Sequence, residues 1–377
     1  VPETVAATAP TVTPAQAATL AARLVGDRAG DWDRAGRLPV DVVRALNTAG
    51  LLAPQIPTGY GGAGWSSLDS GEFTAQVGSL CSSLRSVMTS QAMAAWTIER
   101  LADRAQARSL LPRLAATDTA AVAFSEPQAG SDLSAMTTTV TMTGDTLRLD
   151  GHKVWVTAAD HADLLLVFAR LGDQGAVVVV PRATPGVRVH RRADPLGCRA
   201  AGHADVWFDA VRLPTSSLLG AGGQSLSLLV TTALSYGRMS VAWGCVGILR
   251  ACLTAAVAHA GSRHQFGRPL AQHQLVARHL ADLWAAEQVA TRVCEHASRC
   301  WDTGSPEVVT ATVLAKYVSA GHATRAAADA VQILASAGAV DGHPVARAYR
   351  DAKLMEIIEG STEMCQLMLA DHAVNRR

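Results

Sequence analysis

The sequence predicts an α+β chain in three parts: an all-α N-terminal domain over residues 1–118, a central β domain over 119–222 and a C-terminal four-helix bundle over 223–377. Three observations predict it. Apolar residues keep an approximate 3–4 spacing up to about Thr117; from Thr119 the pattern becomes alternating or continuously apolar; helical periodicity returns after Gly223. At 377 residues the chain is long enough for two or three domains with a large core.

The elements follow in order. The first twenty residues, rich in Ala, Thr and Pro, read as a loose arm. Leu38-Pro39-Val40 opens a helix with Pro near its first turn, and Val42, Val43, Leu46 and Leu51 form its stripe. A Gly/Pro-rich connector runs from Pro54 to Gly64, and helices are expected over 67–83, 84–101 and 105–115. Residues 121–124 form a short buried strand, and 137–143 and 146–150 alternate about Gly144-Asp145, which is a hairpin signature. Continuous apolar strands are expected at 164–168 and 176–180, with two more at 187–190 and 204–208. Four long helices, 225–260, 272–301, 306–337 and 344–373, are broken only at Gly338 and Gly360 and imply an antiparallel bundle.

Composition excludes several classes. Lys+Arg 33 against Asp+Glu 32 gives a formal charge of +1, without the basic surplus of a nucleic-acid-binding protein. A hydrophobic fraction of 49% argues against disorder. The seven cysteines form no CxxC and there is no HExxH, so small buried thiols are expected and no metal site. No signal peptide is visible, and the most apolar stretch, 239–258, is interrupted by Arg250 and reads as a buried helix, not a membrane insertion. The expectation is a soluble, cytoplasmic chain.

Five segments carry candidate chemistry. Ser125-Glu126-Pro127-Gln128-Ala129-Gly130-Ser131-Asp132 follows a buried strand; its small residues and hydroxyls suit a polar ring edge or a phosphate, or simply a polar turn. In Gly151-His152-Lys153-Val154-Trp155-Val156-Thr157, an aromatic stands two residues from a hydroxyl on one strand face. Trp155 there is readable as a wall for a flat ring or as core. Arg263-His264-Gln265-Phe266-Gly267-Arg268-Pro269 joins two long helices as a phosphate-binding or merely solvated loop. Gln332 to Gly338 ends a helix with small residues, also an ordinary C-terminus. In Ile357-Ile358-Glu359-Gly360-Ser361-Thr362, an acid set against Ile358 and Met355 would be partly desolvated and its pKa raised toward that of a general base. A solvent-facing Glu before a turn fits the same residues.

Together, in this order and spacing, the five segments resemble the acyl-CoA dehydrogenase family. The resemblance runs from about Arg37 to the C-terminus and includes Leu51-Leu52-Ala53-Pro54-Gln55-Ile56-Pro57 and Tyr60-Gly61-Gly62. It implies a central β-barrel domain between helical domains, FAD as cofactor and an acyl thioester substrate. By resemblance, Phe124, Ser125, Ser131, Trp155 and Thr157 line the flavin, with Ser125 where threonine is more usual. Arg263, Phe266, Gln332 and Ser336 would contact FAD held mainly by a neighbouring subunit, and Ser361 is placed with the cofactor set. That sharing implies a homo-oligomer, a dimer or tetramer.

Glu359 stands at the catalytic base position, and Gly237 at the family's alternative place for that base. Arg238, Ser235 and Ile358 are assigned to the substrate, with Ser235 where the family often has an acid. That departure puts ordinary CoA recognition in question and raises a carrier-protein-bound acyl group, as in polyketide extender-unit biosynthesis, as the alternative. The resemblance implies an electron-transferring flavoprotein or similar acceptor. An acyl-CoA oxidase is the competing enzyme, and a non-catalytic flavin-binding scaffold the competing class.

Overall fold

The structure is a computed structural model that describes residues 12–220 and 222–375. The expected loose arm lies partly outside these residues, and the part described is a helix, α1 (Pro14–Val25). Thr13 and Gln16 form a reciprocal capping box, Pro14 stands at the first turn, and Ala17, Ala21 and Val25 make a buried stripe four residues apart. Small side chains hid that stripe from a reading weighted toward large apolar residues. Helices α2 (Ala29–Ala35), α3 (Val40–Thr48), α4 (Ser67–Leu80), α5 (Ser82–Leu101) and α6 (Arg104–Ala116) complete the first domain. Pro39 lies at the N-cap of α3, one place before the expected first turn.

The central domain holds β1 (Ala120–Ala123), β2 (Thr139–Thr143), β3 (Thr146–Val156), β4 (Leu164–Leu171), β5 (Gln174–Pro181), β6 (Val187–Arg191) and β7 (Ala204–Pro214). They form one seven-stranded sheet in the order β1-β4-β2-β3-β7-β6, with β5 also on β4. The ladder does not close on itself, so the expected barrel-type domain takes the form of a half-barrel. Both faces of β4 are buried, which is why its sequence is continuously apolar. Leu165, Val167 and Ala169 pack toward α1, α3 and α4, whereas Leu164, Leu166 and Phe168 pack toward α5, α6 and the start of the next helix.

That helix is α7 (Leu226–Ser262), opened by the Ser225 side chain accepting from Leu228 N–H. A small hairpin, β8 (His264–Gln265) and β9 (Arg268–Pro269), leads to α8 (Gln274–Asp302), α9 (Val308–Leu334), α10 (Pro344–Met355) and α11 (Thr362–Asn375). The fourth helix expected from sequence is thus two helices with the turn 356–361 between them. Among the described residues α7 is the one helix long and apolar enough to cross a membrane, and most of its apolar stretch is buried in the bundle. It is the axle of the molecule, packed by α4, α5, α8, α9 and α10. The cysteines are all buried and unpaired, as expected.

Candidate active site

The turn between α10 and α11 presents Glu359 with φ 55°, a left-handed conformation unusual for a side-chain-bearing residue. Two buried cations hold this turn by its carbonyls. Lys316 of α9 donates to the carbonyls of Glu356 and Gly360, and Arg238 Nε donates to the Glu359 carbonyl at 3.1 Å. The carboxylate itself faces the backbone of α7 at Gly237, where an added Cβ would collide with Glu359 Oε2 and lie 3.0 Å from Met93 Sδ. Glycine is therefore required at 237 by the close approach of the acid. Glu359 Oε2 is fully buried and has no hydrogen-bond partner among the described residues. Burial pushes its pKa up, and the charges of Arg238, Lys316 and Arg85 only partly oppose this. The solvent-facing alternative for Glu359 is thereby excluded.

A second buried carboxylate, readable in the sequence only as one member of a polar loop, organises the segment after β1. Glu126 pairs with Lys153 of β3 at 2.8 Å, both side chains being almost wholly buried. It also accepts from Thr137 N–H, Thr137 Oγ1, Thr138 N–H and Gln128 Nε2. Lys153 Nζ donates in addition to the Phe124 carbonyl at 2.8 Å, and Val154 N–H to the Ser125 carbonyl at 2.8 Å. The loop is thus bolted to β3. Burial alone would raise the Glu126 pKa, but the hydrogen bonds from Lys153, Thr138 and Thr137 and the Lys153 charge together hold it well below the carboxylate range. The loop presents Ser125 and Ser131, whose hydroxyls have no protein partner among the described residues. Phe124 lies half-buried with its ring 4.2 Å from Phe168.

The sequence placed Trp155 and Thr157 on one strand face, and the structure corrects this. The β3–β7 register shifts between Lys153 and Val156, Trp155 takes φ 57°, and Thr157 falls just beyond the strand. This bulge swings Trp155 out of the core to 49% exposure, with the Arg192 guanidinium stacked 4.3 Å from its ring. Thr157 Oγ1 meets His203 Nδ1 at 3.2 Å, and burial, aided by the charge of Arg85, lowers the His203 pKa to about 4, so the ring is neutral at pH 7. An exposed indole, unpaired hydroxyls and an orphaned buried carboxylate oxygen are the features a flat, polar-edged cofactor beside a reacting carbon requires.

Other expected site residues are placed differently. Ser235 donates to the Thr231 carbonyl at 2.8 Å, so its hydroxyl is used within α7. Arg238 is a clamp on the Glu359 turn with its Nη1 buried and unpartnered. Ile358 packs against the bundle core, and Ser361 Oγ accepts from Met364 N–H at the start of α11. Arg263, Phe266, Gln332 and Ser336 all lie exposed on the bundle surface, with Phe266 at 94% exposure and φ 50°.

Comparison with known proteins agrees with this architecture throughout. The acyl-CoA dehydrogenase N-terminal, middle and C-terminal domain descriptions match residues 14–118, 121–211 and 228–374. Human mitochondrial short-chain specific acyl-CoA dehydrogenase is 32% identical over 351 residues, covering 91% of this chain and 85% of that protein. A solved structure of FkbI, for biosynthesis of the methoxymalonyl extender unit of the Fk520 polyketide immunosuppressant, is 61% identical with TM-score 0.91, covering 95% of this chain and 99% of that one. Butyryl-CoA dehydrogenase from Megasphaera elsdenii superposes with TM-score 0.92 at 25% identity over all of both chains.

Proposed function

The chain belongs to the acyl-CoA dehydrogenase family, as an oxidoreductase acting on a CH–CH bond, and from that premise we propose an FAD-bound enzyme in which Glu359 is the base. The observation that carries this reading is the buried, unpartnered Glu359 Oε2 pressed against Gly237. Phe124, Ser125, Ser131, Trp155 and Thr157 would hold the flavin, which when bound supplies the acceptor for the substrate's β-hydrogen as hydride. Glu359 Oε2 takes the α-proton. Its pushed-up pKa narrows the gap to a weakly acidic thioester. Among the described residues the Glu359 N–H has no backbone partner and would donate to the thioester carbonyl, and such a preorganised donor contributes about 3–4 kcal/mol.

The acyl group is proposed to ride on the phosphopantetheine of a carrier protein in extender-unit biosynthesis. Two observations support this: the 61% identity to the extender-unit relative and the absence of an acid at Ser235, whose hydroxyl is spent on Thr231. A homo-oligomer is proposed from Arg263, Phe266, Gln332 and Ser336, because a fully exposed phenylalanine on a helical surface suits cover by a neighbouring copy that shares the cofactor. An electron-transferring flavoprotein or similar acceptor would reoxidise the enzyme. Anaerobic flavin bleaching with matched acyl-CoA and acyl-carrier thioesters tests the carrier: faster bleaching on the carrier is expected, and equal or faster turnover on CoA refutes it.

A further inference from the structure

The end of α8 and the start of α9 bring together three side chains that the proposed chemistry does not use. His296 and Cys300 stand one turn apart on α8, and Glu307 is the residue that caps α9. Their ligating atoms, an imidazole nitrogen, Cys300 Sγ and a carboxylate oxygen, all lie within 4.8 Å of one another. Cys300 Sγ and His296 Nε2 are 3.7 Å apart, and no other thiol among the described residues meets an imidazole. The trio escapes a search for CxxC or HExxH, because it is built from one helical turn and the residue that opens the next helix.

The connection between the helices holds the three in place. Ser305 N–H donates to the Cys300 carbonyl at 2.8 Å, and Ser305 Oγ accepts from Glu307 N–H at 3.2 Å. The side chains themselves are uncommitted. Among the described residues the imidazole has only the thiol, and the Glu307 carboxylate has no hydrogen bond or ion pair. The neighbouring cations Arg292 and Arg299 both turn to Glu295 instead. Cys300 is almost buried while His296 and Glu307 are exposed, so an ion has a path to the thiol from solvent.

We propose that His296, Cys300 and Glu307 form a binding site for Zn²⁺ that staples α8 to α9, with water as the fourth ligand. A thiolate beside an imidazole selects zinc over Mg²⁺ or Ca²⁺, which take oxygen ligands. Zn–S of about 2.3 Å and Zn–N of about 2.0–2.1 Å at tetrahedral angles put sulfur and nitrogen about 3.5 Å apart, close to the 3.7 Å between Cys300 and His296. The Glu307 carboxylate needs to close by at most about 1.5 Å to complete the set, a movement open to an exposed side chain. On binding, the Cys300 S–H bond breaks, the Zn–S bond forms and the proton passes to solvent, with no change of oxidation state. None of the three residues is assigned to the flavin or the thioester, so the site is independent of the dehydrogenase reading.

The test is calorimetric titration of the full chain with ZnCl₂, after treatment with a chelator under reducing conditions, joined to X-ray absorption at the zinc edge. One ion per chain should bind with micromolar or tighter affinity, with one sulfur at about 2.3 Å and nitrogen or oxygen at about 2.0–2.1 Å. Cys300→Ser and His296→Ala should each weaken binding by about 100-fold or more, and Cys300→Ser should also remove the sulfur from the zinc shell. Glu307→Gln, at an exposed position that leaves the fold intact, should weaken it by about 10-fold. Zinc should raise the Tm of the wild type more than that of any of these variants. A wild type that binds no zinc at micromolar concentration, or binds it without sulfur, overturns the proposal whether or not the variants fold. Zinc affinity unchanged in Cys300→Ser overturns it as well, by placing the ion elsewhere.

Discussion

Glu126 and Glu359 both carry buried carboxyl oxygens in a turn or loop, yet their surroundings push them in opposite directions. Glu126 is saturated by Lys153 and four further donors, and its pKa is held low. Glu359 has an oxygen with no donor, and its pKa is raised. Burial is common to both, so burial alone does not mark a reactive acid. What separates them is whether the protein supplies the partners of the charged form. The β domain spends its buried charge on rigidity, and the helical core leaves its own available.

Each side of this contrast can be broken separately. The largest effect is expected for Glu359→Gln, which should lower substrate-driven flavin bleaching by about 10³-fold or more while the flavin spectrum is retained. Lys153→Met leaves Glu126 buried and unpaired, and a loss of about 3–5 kcal/mol is expected by denaturant titration, with loss of flavin. Removing both charges with Glu126→Gln and Lys153→Met should recover part of that stability, because no orphaned charge remains and the amide oxygen can still accept from the Thr137 or Thr138 N–H. Gly237→Ala should displace the carboxylate without removing it, lowering the bleaching rate about 10²-fold in rapid-mixing experiments while Tm changes little.

The smallest effect is a pH-dependent one. A carboxyl whose folded pKa is raised favours the folded state most below its unfolded pKa of about 4.3 and loses that advantage as pH rises through the folded value. Glu359→Gln should therefore raise Tm at pH 7, and the gain should fade toward pH 4. For Glu126 the sign reverses, since its stabilisation is present above about pH 4.3 and is lost as pH falls through its lowered folded pKa. An unchanged Tm difference between pH 4 and 7 in Glu359→Gln would remove the electrostatic basis of the contrast.

Most of the architecture was legible in the sequence because periodicity reports burial directly. The continuously apolar β4 and β5 and the long helices around α7 came out within a few residues of their bounds. Helix α1 escaped because alanines carry its buried face. The burial of the Glu359 carboxyl was legible through its neighbours Ile358 and Gly360, and its proposed role rests on the family pattern. Glu126, Lys153 and Arg85 were not singled out, because a charge in a loop or a helix looks solvated until tertiary packing removes the water. A lysine in an otherwise strand-like run, one of only three in the chain, was the available signal for Lys153. The outward swing of Trp155 arises from a bulge against β7, and strict alternation has no way to encode it.

The ionisation of Glu359 is the most direct measure of this contrast. Infrared pH-difference spectra of wild type and Glu359→Gln isolate the carboxyl band that the substitution removes. That band is expected to titrate above the ordinary glutamate value of about 4.3, with the carboxylate form and flavin bleaching rising together. A Glu359 band that titrates at or below that value would contradict the account.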